Sequence, residues 1–433
     1  MLLLLSCVCG VHSQESTCPN VTECHCYDAW DETNADCSSD LLVHVPDGLP
    51  ENVTQLRISF CDNFVELLPN NLSTYTDLKR IEMFSNGLTS VASGAFNGLG
   101  SVQQLYLHSN EKLVLLAIDM LKPLTSLVDL DIHGNALNVA VFDIFQHVTS
   151  LERVFLQNNP INDVVPYDAF GSNAALTSLD ISSCEIRGIN ANGFRGLVGL
   201  MELYININNI TQLSSTAFVG LNSLTTLNLA ANSIQSLPAD VFVEVGGTLH
   251  TVDLSMNAIG TIDDNAFQGA SALAELFLNQ NVMTSVPSAS IRQAMLIKTI
   301  NLSGNKITTV NANSFSGLTK LNSIALCDMA TLADIDVDAF DGLNNLTDLQ
   351  LFNNPLLDVI SPEHFPDDEH QTLQTMSITN NGLRHLDSNV FINKGALRKV
   401  DLTDNPYHCD CHLRWMLEVS NVKALLMLLR IQK

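Results

Sequence analysis

One phrase recurs along most of this chain: apolar, two variable residues, apolar, one variable, apolar, two variable, Asn. Leu127 to Asn135 reads LVDLDIHGN, and Leu224 to Asn232 reads LTTLNLAAN. Fifteen copies begin at Val53, Leu78, Val102, Leu127, Leu151, Leu176, Leu200, Leu224, Leu249, Leu273, Ile297, Leu321, Leu346, Leu373 and Leu397, nearly all 24 or 25 residues apart. A period of this size means a stack of like units rather than two or three ordinary domains. Within each copy the alternating apolar residues turn one face of a short strand into a core, and the residues between them face the other way. Stacked, the strands make a parallel sheet.

The closing Asn has a separate task, to hydrogen-bond turn backbone that would otherwise be buried unpaired. It recurs as Asn86, Asn110, Asn135, Asn159, Asn208, Asn232, Asn257, Asn281, Asn305, Asn354, Asn381 and Asn405. Cys61 and Cys184 hold this position in two copies, where a small thiol fits the turn, and are expected to be buried outside any disulfide. Met329 cannot donate to backbone and predicts a local irregularity around Cys327, Asp328 and Met329. Eighteen or so residues into most copies stands a Phe: Phe96, Phe145, Phe170, Phe194, Phe218, Phe242, Phe267, Phe315, Phe340, Phe365 and Phe391, with Leu121 and Ile291 filling the slot where Phe is missing. One per turn, they read as a packed spine on the side opposite the sheet rather than as an aromatic ligand box.

With 46% hydrophobic and 15% charged residues the chain can bury a large core, which excludes global disorder. Forty-six acids against twenty Lys and Arg give a net charge of -26, with no basic run to offset it. Such a field repels DNA, RNA and anionic lipid and attracts a basic partner. Met1 to Ser13 reads as a secretory signal, with Leu2 to Leu5 and Val8 as its apolar core and Val11-His12-Ser13 offering small residues for cleavage. No Lys or Arg precedes the apolar stretch, so the true start is expected upstream; the alternative is an ordinary buried apolar N-terminus. Later in the chain, Val422 to Ile431 is interrupted by Lys423 and Arg430 and falls short of the ~20 residues that span a bilayer. Cys18, Cys24, Cys26 and Cys37 crowd together as in the disulfide caps of secreted proteins, and spacing alone allows three connectivities.

Cys18-Pro19, Cys24-His25-Cys26 and Cys37, followed by Val45-Pro46-Asp47-Gly48-Leu49-Pro50, resemble the N-terminal cap of the extracellular leucine-rich-repeat superfamily, as in Slit proteins, Nogo receptor, variable lymphocyte receptors and Toll-like receptor ectodomains. The resemblance covers residues 18 to 416. It implies pairing of Cys18 with Cys26 and of Cys24 with Cys37, and an α/β solenoid: a curved horseshoe with a parallel concave sheet and an irregular or short-helical convex side. Asn405-Pro406-Tyr407-His408-Cys409-Asp410-Cys411-His412 resembles the opening of the matching C-terminal cap, but the two further cysteines of that cap do not follow. The departure predicts a truncated, alternatively spliced or aberrant end after about Val419. Zinc at Cys409, Cys411 and His412 is the alternative to disulfides there. The expected organisation is a signal at 1–13, an N-terminal cap at 14–51, repeats at 52–405 and an incomplete cap at 406–433.

The strand residues that face away from the core are the informative ones for function. Their middle position reads Arg57, Glu82, Tyr106, Asp131, Phe155, Asp180, Tyr204, Asn228, Asp253, Phe277, Asn301, Ala325, Gln350, Ser377 and Asp401. Tyr106, Asp131, Phe155, Asp180, Tyr204, Asp253 and Phe277 form the candidate ligand stripe, flanked by Asp129, Arg153, Glu202 and Glu275. Exposed rings among charges are how protein-binding surfaces anchor partners; lateral stacking between strands is the structural alternative. His108 and His133 take matching positions on adjacent strands, as plain contacts or as a pH or metal site.

Sequons start at Asn20, Asn52, Asn71, Asn209, Asn301 and Asn345, and a glycan at Asn301 would leave the N-terminal two thirds of the face for a partner. Asp334, Asp336 and Asp338 alternate like a calcium loop, but Ala339 and Asn345 replace its Gly and Glu, and the acids read as solvated. A Gly-rich phosphate loop, a nucleophile elbow and a His-Glu-x-x-His motif are absent, so neither catalysis, metal nor cofactor is expected. The chain reads as a secreted factor or receptor ectodomain that recognises a protein ligand, with a matrix scaffold as the alternative. Nothing in the sequence specifies an oligomeric state.

Overall fold

The computed structural model describes residues 15–18, 21–29, 32–171, 173–365, 372–391 and 394–408. The signal-like segment 1–13, Asn20, Cys409, Cys411 and His412 lie outside the described residues. The chain forms two compact units, Met1–Ile161 with Phe170–Asp180, and Asn162–Ala169 with Ile181–Lys433.

In the first unit a cap precedes the repeats. Strands Cys24–Ala29 and Glu32–Cys37 run antiparallel, and Glu15–Thr17 lies antiparallel to the former. Cys24 stands opposite Cys37 in this register, and disulfides join Cys18 to Cys26 and Cys24 to Cys37, the pairing that the resemblance implies. A segment this small buries little apolar surface, so cross-links hold it. Its last strand pairs in parallel with Gln55–Ser59 and so covers the open end of the stack.

From there Gln55–Ser59, Arg80–Phe84, Gln104–Tyr106, Asp129–Asp131, Arg153–Phe155 and Ser178–Asp180 pair in parallel, each one copy further on. The inward residues Leu105, Leu130, Val154 and Leu179 are essentially fully buried. On the opposite side Glu66–Leu67, Ser90–Val91 and Leu115–Leu116 form a second, narrow parallel sheet. In the next turn a 3-10 helix, Val139–His147, follows Asn138, whose side chain accepts the Ala140 N–H at 3.0 Å.

The second unit continues the pattern. Glu202–Tyr204, Thr226–Asn228, Thr251–Asp253, Glu275–Phe277, Thr299–Asn301, Ser323–Ala325, Asp348–Gln350, Thr375–Ser377 and Lys399–Asp401 pair in parallel. Its opposite side carries two-residue strand pairs, among them Ser236–Leu237 with Thr261–Ile262, and the short helix Ser288–Ile291. That helix stands where Ile291 replaces the spine Phe. The side opposite the main sheet is thus the irregular or short-helical one expected, with two-residue parallel strand pairs between some neighbouring turns.

Each ladder Asn bonds backbone of the preceding turn through both its amide nitrogen and its oxygen, and many also bond their own turn. Asn232 Nδ2 donates to the carbonyls of Ile205 and Leu229, both at 3.0 Å, and its Oδ1 accepts the Ile210 N–H at 3.0 Å. One side chain thereby satisfies backbone of two turns that water does not reach. Asn135 makes the same set with Leu107, Ile132 and the Asn110 N–H. Cys61 and Cys184 are buried thiols that bond the carbonyls of Ser59 and Ser182 at 3.2 and 3.3 Å, while their N–H groups reach Asn86 and Asn208.

The residue before each ladder position is left-handed, at φ +54° for Ser85, +53° for Ile207 and +59° for Asn353. The irregularity expected at Met329 is not found. Asp328 has φ +56° like its counterparts, and the Met329 N–H donates to Asn354 Oδ1 at 3.0 Å. The turn needs an acceptor from the following copy more than a donor of its own, so one missing Asn leaves the backbone in place.

The Phe spine is buried from Phe96 to Phe365, with Leu121 and Ile291 in the same slot, and Phe391 alone is half-buried. In the second unit Phe218 stacks on Phe242 and Phe242 on Phe267, with centroids 6.0 and 5.4 Å apart. These rings pack the core.

Candidate recognition face

All seven stripe residues end a main-sheet strand and are half-buried. In the first unit the register runs Arg57, Glu82, Tyr106, Asp131, Phe155, Asp180, each beside the next. In the second it runs Tyr204, Asn228, Asp253, Phe277, Asn301, Ala325, Gln350, Ser377, Asp401. The strand period of two sets which side chains share this face; the packing among them was not visible in it.

On the first unit the charges close on one another. Arg57 Nε donates to Glu82 Oε2 at 2.5 Å, and Arg80 binds the other oxygen of the same carboxylate. Arg80 also donates to Gln104 Oε1, Gln104 to Asp129 Oδ2 at 3.2 Å, and Arg153 to that same oxygen at 2.7 Å. The carboxylates are nearly buried and the guanidiniums half-exposed, at 8% for Glu82 and 6% for Asp129 against 46% for Arg153. The bond from Glu82 raises the pKa of Arg57, and that from Asp129 raises the pKa of Arg153.

Two of the three arginines also cover a ring. Arg80 lies 4.9 Å above Tyr106 and Arg57 5.9 Å from Phe84, within cation–π range. Burial raises the Tyr106 pKa, which keeps the phenol neutral. Tyr106 is therefore a fixed ring with its plane backed by a cation, and it needs little ordering to meet a partner. A shallow depression beside it is lined by Tyr27, Asn34, Asp36, Gln55, Arg57, Arg80 and Glu82.

The acids of the stripe carry a second job that sequence reasoning missed. Asp131, Asp253 and Asp401 accept the backbone N–H two residues on, at 3.2, 2.9 and 3.2 Å, and Asn228 and Asn301 do the same at 3.0 Å. Such side chains close the turn that leaves the strand. Their identity is thus not free of structural demand. The repeated Asx at the strand end was the signal.

His108 and His133 do more than share a level: they stack. Their centroids are 4.7 Å apart, and Phe84 stacks on the far side of His108 at 4.9 Å. Lateral stacking thus occupies the column beside the stripe. No cluster of three or more metal-ligating side chains occurs among the described residues.

Of the sequons, Asn52, Asn209 and Asn345 are exposed, Asn71 is half-buried, and Asn301 is half-buried on the sheet face with its oxygen bonded to Ser303. No helix of the described residues is long and apolar enough to cross a membrane.

Comparison with known proteins yields one kind of match. A leucine-rich-repeat family model matches residues 76–137 and 198–246, the BspA-type leucine-rich-repeat region model matches 284–410, and a single-repeat model matches 175–197. Human leucine-rich repeat-containing G-protein coupled receptor 5 is 36% identical over 95 residues, which is 22% of this chain and 10% of the receptor. The match thus spans about a tenth of that relative. A chain of the Drosophila Toll–Spatzle complex superimposes with a TM-score of 0.65 at 17% identity, over 93% of this chain and 69% of that one. A leucine-rich-repeat protein of Leptospira interrogans superimposes with a TM-score of 0.63 at 20% identity, over 89% and 93%. At such identities the two structures speak for the fold.

Proposed function

Because the chain belongs to the leucine-rich-repeat superfamily, we propose that it recognises a protein ligand outside the cell on the face of its main sheet. It does so as a secreted factor or as the ectodomain of an adhesion or innate-immune receptor. The observation that carries this reading is Tyr106. It is a half-buried ring that the core does not require, backed by Arg80 and flanked in register by Glu82 and Asp131. Side chains of this size, held before a partner arrives, are what interface anchors look like. The disulfide-bonded cap and the receptor among its relatives support an extracellular setting. The net charge favours a basic partner over nucleic acid.

The function is binding rather than catalysis, with no cofactor. The sequons at Asn52, Asn209 and Asn345 are exposed to glycosylation, and a glycan at Asn301 would sit on the sheet face of the second unit.

The test is a screen of the folded protein against a library of secreted and cell-surface proteins, repeated with Tyr106→Ala and Phe155→Ala. A ligand whose affinity falls by about thirtyfold with either change supports the reading. Ligands that bind both variants and the corresponding Tyr204→Ala and Phe277→Ala like the parent would place recognition elsewhere.

A further inference from the structure

The ring column beside the stripe has no role in the function just proposed. Phe84, His108 and His133 stack with planes within 7° of parallel, at 4.9 and 4.7 Å, and Phe60 meets Phe84 edge-on at 5.9 Å. Two of these four rings can take a proton, and they are held differently. His133 Nδ1 donates to Asp131 Oδ1 at 2.6 Å. His108 Nδ1 lies 3.2 Å from the Ser109 hydroxyl and touches no carboxylate.

We propose that His108 and His133 form a proton-operated clasp on the recognition face, closed while the pair carries one proton and opened when both rings are charged. Two imidazolium rings face to face in a half-buried site repel more strongly than they would in water. The opening would release His108 and uncover the plane of Phe84 that it now covers.

The charges around the pair favour the single proton. The hydrogen bond to Asp131 leads in raising the His133 pKa, helped by the charges of Asp131 and Asp180. Burial leads in lowering the His108 pKa and the His133 charge adds to it, against the pull of Asp131 and Glu82. The other charged groups on the packed strands are committed: Arg57 and Arg80 to Glu82, Arg153 to Asp129. The two shifts have opposite signs for stability. His133 contributes below its unfolded pKa, and the contribution is lost as pH rises through its raised folded value. His108 contributes above its unfolded pKa, and that is lost as pH falls toward its lowered value. The singly protonated pair is therefore favoured on both sides of 6.5, the ordinary value for both groups, and the clasp opens on the acid side, where both rings are charged.

The clasp itself needs no partner; its bearing on recognition rests on the function proposed above. The test is an NMR titration of the histidine ring carbons in the full protein, read together with the ring-current shift that stacking imposes on His108. Two steps are expected, one on each side of 6.5. The stacking shift should vanish at the lower step. In His108→Phe the ring column should persist through that pH, leaving one step from His133 above 6.5. In Asp131→Asn the upper step should move down. A single common step, or a stacking shift that survives below the lower one, overturns the clasp. Its failure would leave the recognition face standing, and ring variants that bind normally would remove the face but leave the clasp.

Discussion

The main-sheet faces of the two units are built on one backbone pattern and finished in different ways. On the first, long side chains lock together: Arg57, Arg80 and Arg153 close on Glu82 and Asp129, and Arg80 and Arg57 cover Tyr106 and Phe84. On the second, five of the nine strands carry a short hydroxyl residue before the central apolar one, Thr226, Thr251, Thr299, Ser323 and Thr375. Two of the charged residues at that position are held by them, Glu275 by Thr251 and Asp348 by Ser323. The contrast shows that the repeat fixes the backbone and leaves the chemistry of the face to be set copy by copy. A fixed ring-and-cation surface suits an anchor, whereas small hydroxyl and amide groups suit adaptable contacts.

The sharpest way to break this comparison is by affinity. Tyr106→Ala should cost about 2 kcal/mol or more in binding to a ligand from the screen, whereas Asn301→Ala should cost less than about 0.5. Equal losses would mean that both units share the contact. Next comes stability. Arg153→Met removes the main partner of the nearly buried Asp129, and should lower unfolding free energy by about 1–2 kcal/mol, discounted because the guanidinium is half-exposed. Thr299→Val in the second unit should change it by no more than about 0.5 kcal/mol. Urea denaturation measures both.

The ladder should ignore the difference between faces. Asn135→Ala and Asn232→Ala should each destabilise by about 1–3 kcal/mol, the cost of buried backbone left unpaired. Asn228→Ala, which loses one turn bond, should cost about 0.5–1. A gain is expected at Ile207, a β-branched residue at φ +53°. Ile207→Asn should stabilise by about 1 kcal/mol. The smallest effect belongs to Asp253→Asn, which keeps the turn acceptor and removes the charge. Stability should hold, while association with a basic ligand slows a few-fold and loses part of its salt dependence.

What could be read from the sequence was whatever every turn must repeat. The strand positions, the Asn ladder and the Phe spine answer demands of buried backbone and packing that recur with each copy, so periodicity exposes them. The level shared by His108 and His133 was legible for the same reason. Their stacking was not, because it depends on rotamers and on Phe84, one copy earlier at that level. Nor does any period show that Arg57 and Arg80 turn inward onto one carboxylate. Such contacts are made once, between side chains chosen independently, and only the packed structure reveals them. The expectation at Met329 erred by treating the ladder residue as a donor, when the acceptor supplied by Asn354 was enough.

A ladder Asn bonds the turn before and, as at Asn232, its own, so its stabilising contribution is made only between neighbours. A change of length is then tolerated in whole turns. Excising the 24 residues from Leu200 to Ser223 would bring Leu224 to follow Leu176 by the regular interval and let Asn232 take the contacts of Asn208. Excising one residue would instead turn every later apolar side chain of that strand to the wrong side. The fold can therefore gain or lose sheet face in fixed increments of one turn.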